Sequence, residues 1–288
     1  MQKHIRRRII LSLLPMMAVL TMLYLYPLIN VCISAFWGFT GKSAGTFVGL
    51  KNFQLIQKDI SKTVLTTIVW TFGSVLPALV LGLVLALICN DSFKVKRIVV
   101  SVGLLPYAIP LIIVASCWRF VYNPDFGIIN VFLEKVGLIK TSISFLDYKH
   151  ALASVIIARI WRAMPFAFMN YYSALTTISA ELYDAAKVDG AGYWQSLWYI
   201  TLPNLRKITM STLIVLTVWT FMVFDIIYGM TGGGPVDATK TISMRIYQEM
   251  FSMKNMGTSS AWSLIAILIL FLISCIYWRI QEGGESDV

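Results

Sequence analysis

Four ionisable residues interrupt or border the long apolar stretches of this chain: Arg119, Arg159, Arg162 and Asp225. Arg159 and Arg162 lie three positions apart, about 300° of helix rotation, so a helix places them on one face with Phe166. A cation deep in hydrocarbon costs at least about 2.5–3.5 kcal/mol, so such residues face an aqueous cavity or an acid. Two readings are open, a polar pocket or an internal pair with Asp225. In a pocket, two guanidinium groups suit carboxylate, sulfate or phosphate. Arg119 stands at the end of its apolar stretch and reads as a snorkelling side chain. Other chemistry is sparse. His4 and His150 have no cluster of Cys, Asp or Glu at metal-ligand spacing, so no metal site is expected. No nucleophile elbow or HExxH is present. Gly41-Lys42-Ser43 imitates the end of a phosphate loop, but Phe36 stands where that loop needs its first glycine. Cys32, Cys89, Cys117 and Cys275 fall in apolar blocks and read as small buried hydrophobes.

Composition points to the elements that hold these residues. Of 288 residues, 58% are hydrophobic and 13% charged, against roughly 25% charged in a soluble domain. Mean hydropathy is +0.74. Asp, Glu, Lys and Arg are absent from Ile9–Gly41, Thr63–Asn90, Ile98–Trp118, Ala163–Ala180, Ile208–Phe224 and Asn255–Trp278. About 20 residues of helix cross a bilayer, so six spanning helices are expected. The fourth needs residues 150–162 to reach full length and so carries both arginines into the membrane. Dyad alternation of a barrel strand is missing, and a lipid-facing backbone must satisfy itself. The fold class is therefore all-α integral membrane. Pro15, Pro27, Pro77, Pro106, Pro110 and Pro165 are expected to be tolerated as kinks.

Lys3, Arg6, Arg7 and Arg8 precede the first block, which is too long for the core of a cleaved signal. They put the N-terminus in the cytoplasm. Alternation then places 90–97 and 180–207 inside, and 38–62, 123–149 and 231–254 outside, where Phe126–Leu138 suits a short interfacial helix. The organisation is a cytoplasmic N-terminus (1–8), one membrane domain (9–280) and a tail (281–288). The net charge of +10 reflects this topology and lipid headgroups. Nucleic acid is a poor partner for a chain without a sizeable soluble basic domain.

Between the fourth and fifth blocks lies ELYDAAKVDGAGYWQSLWYITLP, residues 181–203. Thr176, Thr177 and Ser179 are candidate N-caps, and Glu181 and Asp184 suit a first turn. A short helix over Leu182–Val188 ends at Gly190 and Gly192. A second helix is expected over Tyr193–Ile200, and Pro203 restarts the chain toward the fifth span. Trp194, Leu197, Trp198 and Thr201 are expected on one face. An exposed apolar face of this kind fits a partner's groove or lipid headgroups.

This stretch resembles the coupling loop of ABC-importer permeases, in which an E-A-A triplet, a glycine and an I-x-L-P run stand at set spacing. Here Asp184-Ala185-Ala186, Asp189-Gly190-Ala191 and Ile200-Thr201-Leu202-Pro203 occupy those positions. Asp184 departs from the family's glutamate and reaches one methylene less; Glu181 could share its role. Phe224-Asp225, Ile227-Tyr228 and Thr231-Gly232-Gly233-Gly234-Pro235 resemble the carbohydrate-uptake type, like the larger maltose permease subunit and the glycerol-3-phosphate permease. Val48–Phe53, Leu105-Pro106-Tyr107 and Tyr122-Asn123-Pro124 echo it too.

The resemblance implies a type I ABC-importer permease fold with a cytoplasmic coupling helix, in a prokaryotic cell membrane. It implies a transport subunit without its own ATPase site, binding no cofactor itself. Its partners would be a second homologous permease, two ATPase subunits that use ATP and Mg, and an extracytoplasmic solute-binding protein. Glu181, Asp184, Ala185, Ala186, Asp189, Gly190, Ala191, Trp194, Leu197 and Pro203 would meet the ATPase. Counting from the two motifs puts the substrate path at Arg159, Arg162, Ala163, Phe166, Leu216, Trp219, Thr220 and Val223. The asparagines of the maltose permease are absent there, so the resemblance implies another solute. A sugar or oligosaccharide is expected, with an acidic saccharide or glycerophosphate-like solute suggested by the arginines. A non-sugar solute and a polytopic membrane enzyme are the alternatives.

Overall fold

The computed structural model describes residues 13–39, 45–91 and 94–283, with the backbone alone at 281–283. The cations at 3–8, His4, the Gly41-Lys42-Ser43 run and the end of the tail lie outside the described residues. The apolar blocks become helices: α1 (Leu13–Ser34), α2 (Lys51–Asn90), α3 (Lys96–Ala108), α4 (Leu111–Val121) and α5 (Ile128–Lys135). They continue with α6 (Ala151–Leu175), α7 (Ala180–Val188), α8 (Tyr193–Met222), α9 (Asp225–Thr231), α10 (Ile242–Tyr247) and α11 (Met256–Gly283). A two-residue hairpin, β1 (Trp37–Gly38) with β2 (Thr46–Phe47), is antiparallel. Among the described residues, five helices are long and apolar enough to cross a bilayer, six if α3 and α4 form one bent span.

Two compact units are distinguishable. One takes in the residues up to Ser61 together with Arg245–Ile269. In it Asn52 Nδ2 donates to the carbonyls of Ala35 (2.9 Å) and Trp37 (3.0 Å), tying the hairpin's root to the start of α2. Arg245 pairs with Asp59 at 3.3 Å. The apolar window of α1 contributes nothing to the core: none of it is buried.

The other unit, Lys62–Met244 with the residues from Leu270 on, holds the two large cores. Val75, Leu79, Phe168, Tyr171, Leu205 and Leu216 form one; Trp70, Val114, Tyr122, Val155, Ile226 and Ile227 form the other. Small residues let helix backbones meet in lipid, where the hydrophobic effect does not drive association. At Gly82 an added Cβ would stand 2.7 Å from Ala167 Cβ and 2.8 Å from the Phe168 nitrogen, so α2 and α6 touch backbone to backbone.

Three expectations need correction. The third block is more than kinked at Pro110: it breaks into two helices, and α3 and α4 meet at 104°. Pro110 has no N–H and pushes Ile109 to φ −83, ψ 130, outside the helical region. Pro77, Pro106 and Pro165 do lie inside helices as expected. Second, α2 starts well before Thr63 and runs 40 residues, about 60 Å. Block limits mark where charges begin, whereas helix continues past the hydrocarbon. Third, Pro203 restarts nothing, because α8 is continuous through it. Leu202 donates five residues back to Leu197 across a wide turn, and the helix absorbs the proline's missing N–H there.

Candidate functional site

The two arginines sit at the ninth and twelfth positions of the 25-residue α6, about 12 and 17 Å from its start. That is mid-depth in a bilayer whose hydrocarbon is about 30 Å thick. Arg159 is 5% exposed. Its Nε and Nη2 both donate to Thr220 Oγ1, at 3.2 and 2.9 Å. Thr220 is fully buried on α8, and its carbonyl accepts from Trp70 Nε1 at 2.8 Å. The arginine's acceptor is thus fixed by a third helix.

Arg162 is half-buried and held differently. Its Nε donates to the Ile109 carbonyl at 3.2 Å, an oxygen at the break between α3 and α4. Its guanidinium carbon lies 4.5 Å from the centre of the Tyr107 ring, a cation–π distance. The internal pair with Asp225 is not made: among the described residues both arginines take neutral partners, and Asp225 opens α9. Arg162, Ala163, Phe166, Leu216, Trp219 and Val223 line one cavity of about 170 Å³ together with Arg159. Of the eight positions expected on the path, Thr220 alone stands behind the wall, as Arg159's acceptor.

Sequence reasoning missed two lining residues, Tyr107 and Leu111. The signal for them was Pro110, whose break turns the end of α3 and the start of α4 into the cavity. Aromatic rings make a continuous strip along it. Tyr107 stacks on Phe166 (centroids 6.2 Å apart, 27°), and Phe166 meets Trp219 at 4.9 Å. Trp219 is 45% exposed.

The loop at 180–207 is built for the opposite condition. Ser179 caps α7, its hydroxyl accepting from Glu181 N at 3.3 Å. Thr176 and Thr177 instead bond back to Ser173 and Ala174. Glu181 lies in the first turn; Asp184 lies one turn later and pairs with Lys187 at 3.1 Å on the open surface. The helix ends with Ala191 N donating to Ala186 O (2.8 Å) and Gly190 N to Lys187 O (3.1 Å). This Schellman closure needs a left-handed residue, and Gly190 has φ +78. Gly192 N then donates to Gln195 Oε1 at 2.8 Å and opens α8.

The wide turn at Leu197–Thr201 rotates the residues beyond it, so the expected common face is not formed. Thr201 is buried, its hydroxyl 2.9 Å from that of Tyr183. Leu197 and Thr201 line a groove of about 450 Å³ with Leu87, Tyr183, Lys187 and Ala191. Trp194 and Trp198 point away, 69% and 64% exposed.

Arg119 stands in the last turn of α4, near the start of α6, where Tyr122 Oη lies 3.3 Å from the Ser154 carbonyl. The loop leaves from the other end of that helix, about 37 Å away along its 25 residues. Arg119 and the loop are therefore at opposite ends of α6.

Residues 78–282 match the family described as binding-protein-dependent transport system inner membrane component. The trehalose/maltose transport system permease protein of Thermococcus litoralis is 31% identical over 94% of this chain and 92% of its own length. Two proteins of Agrobacterium fabrum are each 30% identical. They are the sulfoquinovosyl glycerol transport system permease, over 94% of this chain and 89% of its own length, and the sn-glycerol-3-phosphate permease, over 83% and 82%. A chain of a bacterial ABC transporter that imports the acidic polysaccharide alginate superposes with a TM-score of 0.82 at 24% identity. The match covers 97% of this chain and 98% of that one.

Proposed function

The chain belongs to the family of binding-protein-dependent transport system inner membrane components, and from that premise we propose that it passes a saccharide with an acidic group through the cavity at Arg159 and Arg162. It is a permease subunit of an ABC importer. The observation that carries the choice of solute is that both arginines are held by neutral acceptors, a hydroxyl and a carbonyl. Neutral acceptors satisfy donors but leave the charge uncompensated, and a charge at mid-depth is costly until an anion meets it. A carboxylate, phosphate or sulfonate would accept the remaining guanidinium donors in charge-assisted bonds. The strip of Tyr107, Phe166 and Trp219 suits the apolar face of a sugar ring. Two relatives at 30% identity are named for glycerol 3-phosphate and sulfoquinovosyl glycerol, which supports an anionic cargo.

The cavity of about 170 Å³ is below the roughly 300–1,000 Å³ of pockets that enclose drug-sized ligands. A second homologous permease would supply the opposing wall. Two ATPase subunits, using ATP and Mg, would grip the loop at 180–207 on the cytoplasmic side. Glu181, Asp184 and the exposed Trp194 offer the contact. A solute-binding protein would deliver cargo on the other face, and the N-terminus would be cytoplasmic in the inner membrane of a prokaryote. ATP-driven closure of the ATPases would move the loop, and the bend at Ile109–Pro110 offers a joint for the alternation.

The test is uptake by Arg159→Gln and Arg162→Gln proteins in the assembled importer. Each loss of a charge-assisted bond, about 1.5–3 kcal/mol, should lower uptake of the native acidic solute by tenfold or more. Unchanged uptake with intact membrane insertion would refute the acidic reading. A neutral saccharide is the second reading, favoured by the aromatic strip and by the Thermococcus litoralis relative. It predicts that neutral sugars, and no acidic ones, compete for uptake.

A further inference from the structure

The sequence reads Arg119 as a snorkelling side chain, but the side chain lines an open hollow. Ser116, Arg119, Phe120 and Asn123 line a second, open hollow of about 300 Å³, in which the first three residues are exposed. Their spacing of three and four places Ser116, Arg119 and Phe120 on one face at the end of α4, and Asn123 follows just beyond the helix. Of the polar groups there, Arg119 and Asn123 present donors and Ser116 an acceptor. Arg119 carries five N–H groups, and Nη1 makes one long bond, 3.4 Å to the Gly229 carbonyl. Asn123 spends its carbonyl oxygen on the nitrogens of Asp125 (2.8 Å) and Phe126 (3.2 Å), so its amide NH₂ remains to be used. Ser116 Oγ donates to the Ile112 carbonyl at 3.1 Å, which leaves its lone pairs and no donor. Among the described residues no carboxylate lines the space. A position in the last turn of α4 accounts for a cation there. It does not account for the Asn123 amide donors that line the same hollow.

The second cavity has a fixed relation to the first. Leu111, at the start of α4, lines the central cavity; Arg119, eight residues on, lines this one. Eight residues of helix span about 12 Å, and α4 carries both ends rigidly. The Arg119 end faces away from the coupling loop, on the side from which cargo would arrive.

We propose that the cavity of Ser116, Arg119 and Asn123 is an entry subsite that takes the anionic group of the solute before it reaches Arg162. The proposal rests on the acidic-solute reading above. Arg119 there holds a carboxylate, phosphate or sulfonate, and the same chemistry would attract an anionic lipid headgroup. The experiment separates the two sources.

Ser116→Cys is introduced into the full chain with its four native cysteines replaced, and the importer is assembled in nanodiscs of phosphatidylcholine. Thiol labelling is timed with an anionic sulfonatoethyl and a cationic trimethylammonium methanethiosulfonate, corrected for their intrinsic rates. The anionic reagent should react about tenfold faster, since one guanidinium attracts it and repels the other. Arg119→Gln should bring the two rates to parity, while Arg119→Lys keeps most of the preference. Glycerol 3-phosphate, and not glycerol, should slow the anionic reagent. Equal rates before the arginine is removed would overturn the proposal. So would labelling of the isolated chain but not of the importer, which would mean that the second permease fills the cavity. Slowing only when phosphatidylglycerol is added would assign the site to lipid, against the proposal. The acidic reading fails on a different measurement, uptake by Arg162→Gln, so the two failures are distinguishable.

Discussion

The central cavity and the loop at 180–207 solve opposite problems with charged and aromatic residues. In the cavity the arginines are buried or half-buried, and they are held by groups of their own chain: Thr220, Ile109 and the Tyr107 ring. The surrounding helices fix their direction, which would lower the ordering cost of the binding proposed there. In the loop, Trp194 and Trp198 are open to solvent, and Asp184 meets Lys187 on the surface. The organised part there is the backbone, through Ser179, the Gly190 turn and the Gln195 cap. The cavity presents prearranged side chains; the loop presents a rigid backbone with uncovered side chains.

That contrast can be broken from either end. The largest effect is expected from Gly190→Pro. Proline cannot take φ +78 and removes the N–H that reaches Lys187. Co-purification with the ATPase subunits and uptake should both be lost, with membrane insertion intact. Normal uptake would show that the loop's backbone is not the handle. Next, Gly82→Leu should cost about 3 kcal/mol or more, because the nearest atoms include the Phe168 backbone nitrogen, which cannot yield. Thermal unfolding of the purified chain reports it, and a shift below about 1 °C, against the several degrees such a loss implies, would mean that α2 and α6 separate easily.

Thr220→Val keeps shape and removes Arg159's acceptor. Leaving a buried charged donor unsatisfied should cost about 1–3 kcal/mol, and saturating anionic solute should restore part of the loss. A variant as stable as the native chain would mean that Arg159 finds another acceptor unaided. The smallest effect belongs to Asp184→Glu. The pair with Lys187 is exposed and worth under about 1 kcal/mol, so stability should not change. ATPase affinity should rise by no more than a few fold, as the longer side chain regains reach. A large stability change would place Asp184 in the folding core rather than at a docking surface.

Much of the architecture was legible because lipid enforces simple rules. A run without charges long enough to cross hydrocarbon must be helical, and that alone placed the spanning segments. Seven of the eight path positions reached the cavity because α6 and α8 keep regular helical phase there. Legibility failed where one backbone group departed from that phase. Pro110 broke the third span and brought Tyr107 and Leu111 to the cavity. The wide turn at Leu197–Thr201 moved Trp194 and Trp198 away from Thr201. Neither event changes hydropathy, so neither registers in a pattern of apolar residues.

By itself, the sequence determined the class of the protein: helices in a membrane, two arginines on one face of the fourth span, and a loop with its glycine and capping signals in order. These depend on composition and on contacts a few residues apart. Tertiary structure decided the arginines' partners. Asp225 is only a few residues from Thr220 in the chain, yet Arg159 bonds the hydroxyl of the threonine, whose carbonyl is held by Trp70 from a distant helix. Arg162 found its acceptor at a proline break in a third helix. Such choices turn on the direction of single hydrogen bonds between helices, and that direction exists only once the helices are packed.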